Sequence, residues 1–197
     1  MIEYFIVCPL VFLAGFIDAI AGGGGLISLP AYLIAGLPPH AAIGTNKFSA
    51  CLGTMVATWH YAKCGFIHWK RVLPAVVTAL LGSWLGARLA LLVEADAFKI
   101  VMLIILPLTA CYVLRKKSLR DGNAPFSERK TVLITIFLAL IIGVYDGFYG
   151  PGTGTFLMLL LTAVAHVSLN EAAGTTKVIN LATTVAALVV FLVHGVV

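Results

Sequence analysis

The chain has 197 residues, of which 61% are hydrophobic and only 11% are charged, and its mean hydropathy is +1.06. This composition excludes an ordinary soluble domain and predicts an integral membrane protein. The net charge of +5 does not indicate a nucleic-acid partner, because most of the excess lies in one short polar segment. The cysteines stand singly, without a CxxC pair, so no disulfide framework, metal site or cofactor is predicted.

Apolar stretches recur along the whole chain. At a rise of about 1.5 Å per residue, most of them are long enough to cross a hydrocarbon core of about 30 Å. The second and seventh stretches are shorter. The sequence therefore predicts an all-α, polytopic helical membrane protein, with helices over residues 3–20, 26–36, 46–64, 72–93, 97–114, 131–149, 155–167 and 175–196.

A basic segment indicates the orientation and divides the chain. Residues 115–130 contain six basic residues, and the positive-inside rule places such a loop in the cytoplasm. We predict a first transmembrane repeat over residues 1–114, this cytoplasmic linker, and a second, incomplete repeat over residues 131–197.

Two glycine-rich clusters interrupt the apolar sequence, each four residues after an aspartate. Glycine breaks helices, and broken helices are tolerated inside a membrane only where they are buried in protein or line a cavity. The clusters therefore predict helix breaks near the bilayer midplane, as in transporters built from two repeats. The first cluster is Gly22, Gly23, Gly24 and Gly25 after Asp18, and the second is Gly150, Pro151, Gly152, Thr153 and Gly154 after Asp146.

A lysine-containing block follows each cluster, as Gly44-Thr45-Asn46-Lys47 and as Gly174-Thr175-Thr176-Lys177. If the short stretch 26–36 counts as a crossing, five helices precede the linker and the two copies are inverted. If that stretch enters and returns on one side, the copies are parallel. We favour the inverted arrangement.

The second copy stops sooner than the first. The first copy continues past Gly65 through two more predicted helices, whereas the second ends at Val197, two residues after the matching Gly195. We therefore expect a fragment, or a chain that a second copy or another polypeptide completes.

The predicted chemistry is anion capture by helix ends. A helix N-terminus offers unpaired N–H groups and a partial positive charge, so it holds an oxyanion without a cationic side chain. We expect four such ends, two after the glycine clusters and two where Thr45 and Thr175 stand near N-cap positions. Asn46 and Thr176 would add further donors. The alternative role for the glycines is close helix packing.

Lys47 and Lys177 fall in the first turn of the predicted helices 46–64 and 175–196. A lysine within a span is costly unless it faces a cavity, a partner or the interface. We interpret both as attraction for the anion, with snorkelling to the headgroups as the alternative. Asp18 and Asp146 either pair with these lysines, which we favour, or carry coupling protons. The predicted substrate-binding residues are Gly22, Gly23, Gly24, Gly25, Gly44, Thr45, Asn46, Lys47, Gly150, Pro151, Gly152, Thr153, Gly154, Gly174, Thr175, Thr176 and Lys177.

Four motifs occur in the order typical of one family: residues 15–30, 44–47, 150–154 and 174–177. In this order and spacing they resemble the sulfite exporter TauE/SafE family. The resemblance implies a carrier of the bacterial plasma membrane, built from two helical halves, for a small anion such as sulfite or a sulfonate. The missing C-terminal helices depart from the family pattern. No GxSxG or HExxH motif is present, so an enzyme is not predicted.

Overall fold

The computed structural model describes residues 2–115 and 126–197, and within these ranges it is helical and contains no strand. Among the described residues, three helices are long and apolar enough to cross a membrane by length and composition alone: Trp69–Leu92, Glu128–Phe148 and Leu169–Val193. The prediction of an all-α helical membrane protein is confirmed. The helices are α1 (Ile2–Ala21), α2 (Gly25–Ile34), α3 (Pro39–Lys63), α4 (Trp69–Leu92), α5 (Ala95–Arg115), α6 (Glu128–Phe148), α7 (Thr153–Ala163) and α8 (Leu169–Val193).

The basic linker lies mostly outside the described residues. α5 ends at Arg115 and α6 begins at Glu128, so Arg129 and Lys130 belong to a helix. The other basic residues of the predicted loop, Lys116, Lys117 and Arg120, are outside the described ranges.

The predicted starts of α3 and α8, at residues 46 and 175, are wrong. α3 begins at Pro39, and α8 begins at Leu169. Proline suits the first turn of a helix, where its fixed φ is helical and its missing N–H needs no partner. Gly44 and Gly174 therefore lie inside helices rather than at their ends.

These two glycines let α3 and α8 approach each other closely at both ends. A Cβ on Gly44 would collide with the carbonyl oxygen of Val196, just after α8, and a Cβ on Gly174 with that of Phe66, just after α3. Small residues allow such backbone contact between membrane helices. Because the start of each helix meets the segment after the end of the other, α3 and α8 run antiparallel.

We expect Gly174→Ala to destabilise the protein by about 1–3 kcal/mol, since the added methyl group must displace the backbone at Phe66. Gly53 is the matched control, because it also lies in a long helix but a Cβ there would meet nothing within 4 Å. Gly53→Ala should be neutral or stabilising by up to about 1 kcal/mol. Thermal unfolding in detergent measures both effects, and equal unfolding temperatures would contradict the packing role of Gly174.

α2 folds back beside α1. The Gly24 N–H donates to Asp18 Oδ1 at 3.1 Å, and Ser28 of α2 lines the same cavity as Val11 of α1. A short connection over residues 35–38 then leads to α3, where Asn46 Oδ1 accepts a hydrogen bond from Ser28 Oγ. Successive helices α1, α2 and α3 therefore run in alternating directions.

α4 packs along α6 and α8. A Cβ on Gly82 would collide with the carbonyl oxygen of Leu140, and one on Gly147 with that of Ser83, so the backbones of α4 and α6 are in contact. Ser83 Oγ donates to the Thr183 carbonyl oxygen of α8. α4 thus covers the groove between α6 and α8.

Charged contacts mark one end of the helix bundle. Arg71 of α4 contacts Glu171 of α8 at 2.7 Å and Glu128 of α6 at 3.6 Å. The starts of α4, α6 and α8 therefore lie together. The start of α3 lies at the other end, where His40 Nε2 is 3.0 Å from the carbonyl oxygen of Ala90, near the end of α4.

Candidate functional site

The two glycine clusters cross in the interior of the protein. A Cβ on Gly22 would lie 2.6 Å from the Cα of Gly154, and Gly22 has a φ of +72°, which favours glycine. Beside this contact, a Cβ on Gly25 would lie 3.1 Å from Pro151 Cα. The crossing brings the breaks before α2 and α7 side by side.

Each buried lysine reaches the aspartate that precedes the other glycine cluster. Lys47 Nζ lies 2.8 Å from Asp146 Oδ2 and also donates to the Asp146 carbonyl oxygen. Lys177 Nζ donates to the carbonyl oxygen of Asp18. Lys47, Asp146 and Lys177 are 1–2% exposed. The folded chain therefore buries both ammonium groups beside the glycine crossing.

Both lysines lie in the third turn of their helices, not in the first turn as predicted. Lys47 is the ninth residue of α3, and Lys177 is the ninth residue of α8. The N-cap residues are Pro38 and Ser168, so the predicted N-caps Thr45 and Thr175 are wrong. Eight residues of helix place those N-termini about 12 Å from the lysines. Of the four predicted helix ends, only those of α2 and α7 lie at the site.

Two small cavities flank the crossing. The larger, about 80 Å³, lies among α1, α2 and α3, and the smaller, about 30 Å³, lies where α1–α3 meet α6–α8. Asp18, Gly25, Asn46 and Ala50 line both. A single water needs about 10–15 Å³ of such space, so the larger cavity has room for several waters.

The structure brings most of the predicted site residues to these cavities. Those lining one or both are Asp18, Gly22, Gly24, Gly25, Asn46, Lys47, Asp146, Gly150, Gly152, Thr153 and Gly154. Lys177 and Pro151 line neither cavity but lie at the crossing. Lys177 donates to the Asp18 carbonyl oxygen, and Pro151 lies beside Gly25. Those lining neither cavity also include Gly23, Gly44, Thr45, Gly174, Thr175 and Thr176.

Four polar residues at the cavities were not predicted. Ser28 and Ser49 line the larger cavity, and Asn180 and Thr184 line the smaller one. Helical spacing could have identified three of them. Ser28 lies one turn after Gly24, whereas Asn180 and Thr184 follow Lys177 by three and seven residues and share its face.

The charges at the crossing balance. Lys47 and Lys177 bring two positive charges, and Asp18 and Asp146 bring two negative charges. Asp18 is only partly buried, and its carboxylate accepts the N–H of Gly24, the N-cap residue of α2. A bound anion would add a negative charge that these four side chains do not neutralise. In the described ranges, no three His, Cys, Asp or Glu side chains form a metal-ligand set.

Comparison with known proteins places the chain among membrane transporters. The model of the family described as sulfite exporter TauE/SafE matches residues 7–197. The probable membrane transporter protein ORF9 of Sinorhizobium sp is 41% identical over 184 residues, which cover 93% of this chain and 70% of that protein.

Two further relatives carry similar descriptions. A probable membrane transporter protein of Haemophilus influenzae is 34% identical, with 93% of this chain and 72% of the relative covered. The probable membrane transporter protein YfcA of Escherichia coli K12 is 32% identical, with 93% and 68% covered. No solved structure matches the chain significantly.

Proposed function

Because the chain belongs to the sulfite exporter TauE/SafE family, we propose that it carries a small sulfur oxyanion, such as sulfite or a sulfonate, by alternating access across the bacterial plasma membrane. The family is one of membrane transporters, and its relatives are named as transporters, not enzymes. The observation that supports the proposal most strongly is the pair of buried lysines at the glycine crossing. Lys47 contacts Asp146 and Lys177 contacts Asp18, so each lysine reaches the aspartate of the other repeat.

An inverted repeat fits this mechanism. The equivalent helices α3 and α8 run antiparallel and begin at opposite ends of the bundle. A twofold axis along the membrane normal would leave equivalent helices parallel, so the antiparallel packing favours an axis in the membrane plane. Rocking of one repeat against the other then exposes a site between them to each side in turn. With the linker in the cytoplasm, the starts of α4, α6 and α8 face inward.

The N-terminus of α2 is the proposed anion-binding element. At this helix end, the Asp18 carboxylate already accepts a hydrogen bond from the N–H of Gly24. A proton on Asp18 would free that N–H for the substrate oxygen and would offset the charge that the anion brings. Asp146 is less suited to this role, because Lys47 holds its carboxylate. We therefore assign proton coupling to Asp18 and a fixed ion pair to Asp146.

We expect Lys177→Met to weaken sulfite binding by about tenfold to hundredfold, the equivalent of one hydrogen bond to a charged group. Titration calorimetry of protein in nanodiscs measures binding, and labelled sulfite uptake into proteoliposomes measures transport. Lys63→Met is the control, because Lys63 lies at the end of α3, over the ring of Trp59 and far from the crossing.

The anions to compare are sulfite, thiosulfate and methanesulfonate. Failure of the wild-type protein to bind any of them contradicts the proposed substrate class. Equal binding by the wild type and Lys177→Met contradicts the role of the lysine. Uptake measured with and without a pH gradient distinguishes proton-coupled from passive transport.

A further inference from the structure

A wide apolar groove runs between α1 and α3, on the outer side of the first repeat. It encloses about 630 Å³, and small residues on both helices form its floor. A Cβ added at Gly15 or Gly53 would meet nothing within 4 Å, so no other described helix covers these positions. The small residues are Gly15 and Ala19 of α1 and Gly53 and Ala57 of α3.

The equivalent surface of the second repeat is covered by α4. Gly143 and Gly147 are the counterparts of Gly15 and Ala19, and Cβ atoms there would meet the carbonyl oxygens of Ala79, at 2.9 Å, and Ser83. Thr183 is the counterpart of Gly53, and its carbonyl oxygen accepts the Ser83 hydroxyl. The groove between α1 and α3 therefore matches a surface that elsewhere in this molecule binds a helix.

The match between the open groove and the surface that α4 covers continues along α8. Ala87 and Ala90 of α4 share a buried cluster with Ala187 and Val190 of α8. The counterparts of Ala187 and Val190 are Ala57 and His60, which both line the open groove. The correspondence thus continues for more than one further turn beyond the Thr183 contact.

We propose that the groove between α1 and α3 is the docking site of a transmembrane helix of the α4 type, supplied by a partner polypeptide. Such a helix carries small residues on one face and larger apolar residues toward lipid. In α4 the small face consists of Ala75, Ala79, Gly82, Ser83, Gly86 and Ala90. Membrane helices associate through this kind of surface, since small residues allow the backbones to approach.

The docked helix also closes the binding cavity. Val11, Gly15 and Gly53 line both the groove and the larger cavity at the glycine crossing, so one wall of that cavity opens toward the groove. A helix in the groove would complete this wall. The inference rests on the relation between the repeats and not on the identity of the transported anion.

Disulfide cross-linking in membranes tests the proposal. The probe is a separate tagged polypeptide, residues 69–115, which contains α4 and α5 and models the partner helix. It carries Ser83→Cys, and the full chain carries Gly53→Cys, with the native cysteines of both replaced by serine. Because Ser83 contacts Thr183, the counterpart of Gly53, we expect oxidation to join the two polypeptides.

A filled groove provides the matched control. Gly15→Trp should reduce the cross-linked product at least tenfold, whereas Leu13→Trp, on the same helix but outside the groove, should leave it unchanged. The probe should also raise the thermal unfolding temperature of the full chain. If the tagged probe is present in the membranes but forms no cross-link, or if both tryptophan variants cross-link equally, the proposal is overturned and lipid alone fills the groove. Sulfite binding is measured separately, so this result does not decide the proposed function.

Discussion

Lys47→Met is expected to destabilise the protein by about 3–5 kcal/mol and to abolish anion binding, because it leaves the Asp146 carboxylate buried without its counter-ion. Lys47 Nζ lies 2.8 Å from Asp146 Oδ2, and both side chains are buried. Water therefore cannot replace the lost ammonium group without entering the crossing. Thermal unfolding in detergent and sulfite titration measure the two effects.

The double variant Lys47→Met with Asp146→Asn separates stability from binding. Removal of both charges should recover most of the lost stability, since the buried carboxylate is gone. Sulfite binding should stay at least tenfold weaker than in the wild type, because the ammonium group that attracts the anion is still absent. Wild-type affinity in the double variant would show that Lys47 only neutralises Asp146.

Gly22→Ala is expected to force the two glycine clusters apart and to remove sulfite binding. Two effects combine at this position: the φ of +72° is unfavourable for alanine, and a Cβ would lie 2.6 Å from Gly154 Cα. The first effect costs about 1–2 kcal/mol, and displacement of a packed backbone costs about 1–3 kcal/mol more.

Gly36 is the matched control for this variant. Its φ is +86°, but a Cβ there would meet nothing within 4 Å. Gly36→Ala should show only the backbone cost, about 1–2 kcal/mol, with sulfite binding intact. Thermal unfolding and titration calorimetry of both variants isolate the contribution of the crossing. Equal losses of stability and binding would mean that close approach at Gly22 has no special role.

The sequence alone identified the class of protein and the residues at its centre. A largely apolar chain with few charges can satisfy its backbone in a membrane only as helices, so the fold class followed from composition. Duplicated glycine clusters indicated two breaks, because glycine is the residue that allows both a broken helix and close backbone contact. Burial of a lysine is costly, and this cost correctly pointed to Lys47 and Lys177 as residues inside the protein.

Tertiary packing decided where the helices begin and how the charges pair. Gly44 and Gly174 resemble helix boundaries in the sequence, yet each lies inside a helix. Both glycines serve packing, because the segment after the opposite helix lies against each of them and leaves no space for a side chain. The pairing of Lys47 with Asp146 joins residues 99 positions apart, and local periodicity carries no information about such a contact. Only the crossing of the two glycine clusters in the folded chain determines which lysine meets which aspartate.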